Sequence, residues 1–199
     1  MGQFLILDLD ETLIANSFRF AHPSPKIKVV TLPNDFGYMD QFIVRPFVED
    51  FLYWCREHFE HVLLATFSPE QRAAAVLDSV GLRQYFDLIV ARHVLDESKG
   101  LLLLGGEPEK SYDFGGDFCL IDDQDWDANH TLIKMNFFGI DVRPVVDARK
   151  AENPLEYFAP IADHLIQAPA YEGDPEDDFF LRLLEAFKAN YFPEEKLTA

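Results

Sequence analysis

The strongest constraint on the fold lies at the start of the chain. Four apolar residues, Phe4-Leu5-Ile6-Leu7, run directly into Asp8-Leu9-Asp10-Glu11-Thr12. A short continuous apolar run has the pattern of a strand buried on both faces, as in a parallel sheet. Its carboxyl end falls at Asp8. In an extended chain alternate side chains share a face, so Asp8, Asp10 and Thr12 start out pointing the same way. Two carboxylates held that close repel each other unless a cation or a shared proton relieves them. A hard cation with oxygen ligands, such as Mg²⁺, suits that site. The bland alternative is a solvated strand end.

The same logic extends along the chain. Val62 to Ala65 forms a second apolar run, ending at Thr66. Leu88 to Val90 is a third, and Phe118 to Ile121 a fourth that ends at Asp122-Asp123. Val142 to Val146 is a candidate fifth strand. Helical patterns fall between them. Pro46 opens one, with Phe47, Phe51, Trp54, Cys55 and Phe59 on a single apolar face. Pro69 opens another that runs to Gly81, and a third passes through Leu132 and Met135. Strands alternating with helices predict an α/β fold, a Rossmann-like, mostly parallel sheet flanked by helices. Ligands in such sheets bind at the carboxyl ends of the strands. Positions 8, 66 and 122–123 are all at such ends.

Two departures from the alternation are expected. Residues 15–44 contain Pro23, Pro25, Pro33 and Gly37 around two β-like runs, Lys26 to Thr31 and Gln41 to Val44, which predicts a small hairpin excursion. Two amphipathic helices close the chain over about 154–192. The second carries Phe179, Phe180, Leu183, Leu184, Phe187 and Tyr191 on one face. With no linker or repeat visible, residues 1–199 read as a single domain.

Charge and composition limit the partners. The chain has 35 acidic and 17 basic residues, a net charge of −18. Most of such a surface repels polyanions, so nucleic acid and anionic membranes are poor partners. No apolar run approaches the ~20 residues that span a bilayer. No secretory signal opens the sequence. Cys55 and Cys119 sit in apolar segments and read as buried free thiols, which fits a cytoplasmic protein.

Phe4 to Leu13 resembles the first motif of the haloacid dehalogenase superfamily, an apolar strand followed by Asp-x-Asp-x-Thr. Val44-Arg45-Pro46-Phe47-Val48-Glu49-Asp50-Phe51-Leu52 resembles the Arg-Pro segment of phosphatases acting on the RNA polymerase II C-terminal domain, also called the NLI-interacting-factor type. Ile121-Asp122-Asp123-Gln124-Asp125-Trp126 is similar to the acidic fourth motif of that group. The resemblance covers about residues 3–148.

The resemblance implies a Mg²⁺-dependent phosphatase that hydrolyses phosphate monoesters through an aspartyl-phosphate. Asp8 takes the place of the nucleophile and of a metal ligand. Asp10 takes that of the general acid and base, and also offers its backbone carbonyl to the metal. Thr66 matches the second motif, whose hydroxyl holds a phosphate oxygen, and Ser68 is a candidate helper. Asp122 and Asp123 match the metal-binding pair, with Asp123 favoured as the direct ligand. The family's third motif is a lysine ahead of the fourth strand. Lys110 is favoured there for catalysis and substrate binding, and Lys99 is the alternative. Arg45 is balanced between steering phosphate and a structural ion pair.

The segment from Thr66 to Lys110 leaves no room for a large cap. In this superfamily that implies a macromolecular substrate, phosphoserine or phosphothreonine in a protein. A small phosphorylated metabolite is the second choice. A non-catalytic binding module of the same fold is the third, disfavoured by the presence of both Asp8 and Asp10.

Overall fold

A computed structural model describes residues 3–16, 28–34, 37–96, 117–125, 129–138, 145–147 and 164–191. Its centre is a six-stranded sheet. The strands are β1 (Gln3–Leu7), β5 (His61–Ala65), β6 (Leu88–Val90), β7 (Asp117–Asp122), β8 (Val145–Asp147) and β9 (His164–Gln167). They lie in the order β6-β5-β1-β7-β9-β8, and every pairing is parallel. β1 is therefore interior, which is why it needs apolar residues on both faces. Its register sets Leu7 beside Leu64 and Ile121, so these strands end together. The sheet is α/β and parallel, as the alternation of strands and helices predicts.

The period of two along β1 sorts its side chains onto two faces. Leu5 and Leu7 join Val62, Leu64 and Ile121 in one core with α1 (Val48–His58), α2 (Glu70–Val80) and α4 (Phe179–Tyr191). Phe4 and Ile6 join Leu63, Leu120 and Leu165 in a second core with α3 (Asn129–Phe137) on the other side. α4 packs on α1 through aromatic rings: Phe51 meets Phe180 at 4.9 Å and Phe187 at 5.5 Å between centroids. The predicted stripe of α4 is buried from Phe179 to Phe187.

The excursion is a three-stranded antiparallel sheet. β4 (Met39–Val44) pairs with β3 (Val29–Pro33) on one side and β2 (Ile14–Asn16) on the other. β2 makes it more than the expected hairpin.

Two local expectations need correction. α1 begins at Val48, because Phe47 takes a left-handed conformation (φ 62°) and is 40% exposed, off the apolar face assigned to it. α2 ends as expected, with Gly81 in the left-handed cap conformation (φ 78°) that glycine adopts without a Cβ clash. In the closing region, His164–Gln167 is a strand, not part of a helix. It inserts between β7 and β8, and its four residues are too few to show a period. Within the described residues, no helix is long and apolar enough to cross a membrane.

Candidate active site

The polar residues gather where β1, β5 and β7 end. β1 stops at Leu7, and Asp8 follows with its amide donating to the carbonyl of Ile121 (2.9 Å). The chain then turns tightly. Leu13 and Ile14 amides both donate to the Leu9 carbonyl, and Glu11 sits at φ 64°. This turn separates the three residues that start on one face. Asp8 and Thr12 point to the end of β7, while Asp10 swings toward α2.

At the end of β7, Asp8, Asp122 and Asp123 are all buried, and a carboxylate oxygen from each lies within 4.8 Å of the others. Thr12 ties the loop to this cluster. Its hydroxyl donates to Asp123 Oδ1 and accepts from the Asp123 amide, both at 3.1 Å. Gln124 donates through its amide to Asp122 Oδ1 (3.0 Å) and through its side chain to Asp123 Oδ2 (2.9 Å).

A lysine stands in the middle of the acids. Lys134 reaches in from α3, and its Nζ lies 2.6 Å from Asp8 Oδ1 and 2.7 Å from Asp122 Oδ2. It is 1% exposed. Burial alone would discharge it, but Asp122 and Asp8 outweigh that and hold it charged, with its pKa above the ordinary lysine value. Burial pushes the Asp8 carboxyl well up; Lys134 opposes the shift, and the Asp122 and Asp123 charges add to it. Asp123 is raised to about 6, by burial first and then by Asp122, against the hydrogen bonds from Thr12 and Gln124.

Charge and donor chemistry fit a divalent metal. Three carboxylates gather round one ammonium, so a divalent cation would offset the excess negative charge of their ionised forms. The donors are hard oxygens, the set that Mg²⁺ takes. Asp8, Asp122 and Asp123 would hold it.

On the other side, Thr66 follows β5 and is 1% exposed. Its hydroxyl accepts from the Ser68 amide (3.0 Å), which leaves its own O–H to donate. Ser68 donates from its hydroxyl to Asp10 Oδ2 (2.6 Å). Arg72, one turn into α2, grips Asp10 with both ends of its fork: Nη2 to Oδ1 at 3.0 Å and Nη1 to Oδ2 at 3.2 Å. The structure thus brings Asp8, Asp122 and Asp123 into one group and Asp10 and Ser68 into another, with Thr66 bonded to Ser68.

Arg45 is structural. It is 1% exposed and makes a two-pronged ion pair with Asp177, Nε to Oδ1 at 2.9 Å and Nη2 to Oδ2 at 2.8 Å. Its Nη1 donates to the carbonyls of Thr12 (3.2 Å) and Pro169 (3.0 Å). It lies over the rings of Tyr171 and Phe179, at 5.3 and 4.5 Å. Four of its five N–H donors are spent on the protein and the side chain is buried, so Arg45 is committed to the fold and not to phosphate.

Lys110 and Lys99, the third-motif candidates, lie outside the described residues, as does Trp126. Lys134 was legible only indirectly. It is a lone charge inside the apolar stretch Leu132-Ile133-Lys134-Met135, 12 residues beyond Asp122. A charge in such a stretch needs a buried counter-ion. Arg72 gave no signal, because a helix-surface arginine is ordinary.

Among solved structures, the RNA polymerase II CTD phosphatase Fcp1 is similar at 18% identity and a TM-score of 0.40, over 62% of this chain and 38% of that one. A variant of fission yeast Fcp1 bound to beryllium fluoride gives 18% and 0.37, over 62% and 37%. The chain therefore spans well under half the length of these Fcp1 chains. An uncharacterized protein from Listeria monocytogenes serotype 4b gives 15% and 0.46, over 94% of this chain and 99% of that one. Comparison with curated proteins gives no significant sequence match. The family model of the NLI interacting factor-like phosphatases matches residues 3–130, a stretch that holds Asp8, Asp10, Thr66, Ser68, Asp122 and Asp123. The chain belongs to the NLI interacting factor-like phosphatase family.

Proposed function

We propose that the chain is a Mg²⁺-dependent phosphatase that transfers a phosphoryl group to Asp8 and then to water. The observation that carries this reading is the buried Asp8–Lys134–Asp122 bridge beside Asp123. A phosphate monoester dianion repels a carboxylate nucleophile, so attack needs positive charge fixed in place beforehand. Lys134 supplies one such charge. Bound Mg²⁺ would supply the rest by neutralising phosphoryl oxygens. We assign to Lys134 the cationic role that the family resemblance gave to Lys110.

In the first half-reaction an Asp8 oxygen bonds to phosphorus, and the ester oxygen leaves with a proton from Asp10. In the second, Asp10 takes a proton from water, the water oxygen bonds to phosphorus, and Asp8 departs as a carboxylate. Thr66 donates its hydroxyl to a phosphoryl oxygen. Ser68 acts on Asp10, to which it is already bonded.

The substrate we favour is phosphoserine or phosphothreonine in a protein. Between Thr66 and β7 the described residues form α2, a short 3₁₀ turn, β6 and a helical stretch at 92–96, and among the described residues the insertion beside the site is the small antiparallel sheet. Among the described residues, that leaves a protruding phosphorylated side chain access to the strand ends.

Hydrolysis of p-nitrophenyl phosphate and of phosphoserine peptides, with Mg²⁺ and then with excess EDTA, tests the reading. Turnover should require the metal and disappear in Asp8→Asn. Asp10→Asn should slow the peptide far more than p-nitrophenyl phosphate in the burst phase, because an alkoxide leaves badly without a proton. Full activity in chelator, or in a pure Asp8→Asn preparation, contradicts it.

A further inference from the structure

Beside the site, a cleft of about 840 Å³ opens between the antiparallel sheet and the start of α2. Pro33 and Phe42 line one wall, and Arg72, Arg92 and His93 line the other. Arg72 is the link between cleft and site. Its guanidinium holds both Asp10 oxygens and lies 5.0 Å from the centre of the Phe42 ring.

This grip is at odds with what Asp10 has to do. Ser68 and Arg72 together occupy both carboxylate oxygens. Held so, both acceptor positions of Asp10 Oδ2 and one of Oδ1 are filled, and both oxygens are tied to Ser68 and Arg72. Release of Arg72 would free Asp10 to turn toward a leaving group. The pair is open enough to exchange, since the Arg72 and Asp10 side chains are 32% and 42% exposed. Partly exposed ion pairs are weak in water and change partners readily. The most natural replacement is another planar anion, because the guanidinium fork is shaped for a carboxylate or phosphate.

The cleft can receive one. Of its acids, Asp40 accepts a hydrogen bond from Asn34 (3.1 Å) and Glu70 faces His93 at 3.8 Å, while Asp96 is the third. Arg72 and Arg92 place two guanidiniums in the same wall, on a chain whose net charge is −18. Phe42 provides a flat surface along which the Arg72 guanidinium can slide without losing its stacking.

We propose that Arg72 is a specificity-determining latch that exchanges Asp10 for an acidic group flanking the phosphorylated residue of the substrate. The proposal rests on the phosphatase reading above. An acidic neighbour in the cleft draws the guanidinium away and frees Asp10 for proton transfer. A neutral neighbour leaves the latch closed. The preferred substrate is therefore a phosphopeptide with a carboxylate side chain next to the phosphoserine.

Two phosphoserine peptides that differ only in a Glu or a Gln beside the phosphoserine test this, with saturating Mg²⁺. Binding is read by fluorescence anisotropy on the Asp8→Asn protein, and kcat/KM on the wild type. The Glu peptide should bind tighter by a factor below about tenfold, the worth of one full charge-assisted pair, because the Arg72–Asp10 pair is given up in exchange. Arg72→Gln, which keeps the packing on Phe42, should erase the difference, and Arg72→Lys should restore part of it. In the wild type the same preference should appear in kcat/KM. Arg72→Gln should speed the Gln peptide, an effect that mere loss of structure cannot produce.

Equal binding of the two peptides, no binding of either, or a preference that survives Arg72→Gln overturns the latch. Turnover by the wild type without preference overturns the latch alone. A binding preference abolished by Arg72→Gln, with no hydrolysis of either peptide or of p-nitrophenyl phosphate, overturns the phosphatase reading and leaves Arg72 as the residue that reads the acidic neighbour.

Discussion

Lys134 Nζ lies 2.6 Å from Asp8 Oδ1, although 126 residues separate the two in sequence. The contact exists because α3 crosses the sheet face on which Ile133 and Phe137 pack with Phe4 and Ile6. That packing leaves Lys134 aimed at the strand ends. Lys134→Met should keep the bulk of the side chain but lose the charge. It should lower kcat/KM by about 10²–10³, the usual effect of removing one preorganised donor. Lys110→Ala is the control. A large loss from Lys110→Ala with a small one from Lys134→Met would return the role to Lys110.

Asp123 sets a pH dependence for the metal-free protein. Its folded pKa is about 6 against an ordinary 3.8, so the folded state binds this proton more tightly than the unfolded chain does. Its contribution is destabilising above about 6 and vanishes below 3.8. In EDTA at pH 8, Asp123→Asn should therefore be more stable than the wild type by about 1–3 kcal/mol. The gap should close as pH falls to 4, and excess Mg²⁺ at pH 8 should reverse it. Urea unfolding of the two proteins across this range provides the check.

The Arg45–Asp177 pair is a stability element. Asp177→Ala would strand a buried guanidinium and remove the acceptor for the Phe179 amide at the head of α4 (3.1 Å). Loss of one partner from a buried pair costs about 3–5 kcal/mol. The midpoint of denaturation should fall accordingly, while KM for p-nitrophenyl phosphate should change less than threefold. A large rise in KM with little loss of stability would return Arg45 to the phosphate.

The aromatic seam between α1 and α4 is equally open to measurement. Phe187 is fully buried against Phe51, Trp54 and Phe59. Phe187→Ala should cost about 3–5 kcal/mol. A loss below about 1 kcal/mol would mean that α4 contributes little to the core.

The parallel sheet was legible because each interior strand is a short apolar run that ends in a polar residue, as at Leu7-Asp8, Ala65-Thr66 and Ile121-Asp122. The acids were legible for the same reason. β9 was not, since His164–Gln167 is too short to show a pattern and gains its place only by pairing with β7 and β8. The separation of Asp10 from Asp8 was also hidden. It depends on the left-handed Glu11, a conformation that no side-chain pattern announces. Lys134 and Arg72 were missed because each acts through a contact across the fold.

The account turns on Asp8 as the phosphoryl acceptor. The most direct measurement is acid quenching of the wild-type protein during turnover of a ³²P-labelled phosphoserine peptide, followed by borohydride reduction and peptide mapping. An acyl phosphate on Asp8 survives acid, is released by hydroxylamine, and is reduced to homoserine at position 8. The account predicts label that is sensitive to hydroxylamine, homoserine at that position, and no label in Asp8→Asn. Label on a serine or histidine, or label that persists in Asp8→Asn, would contradict it.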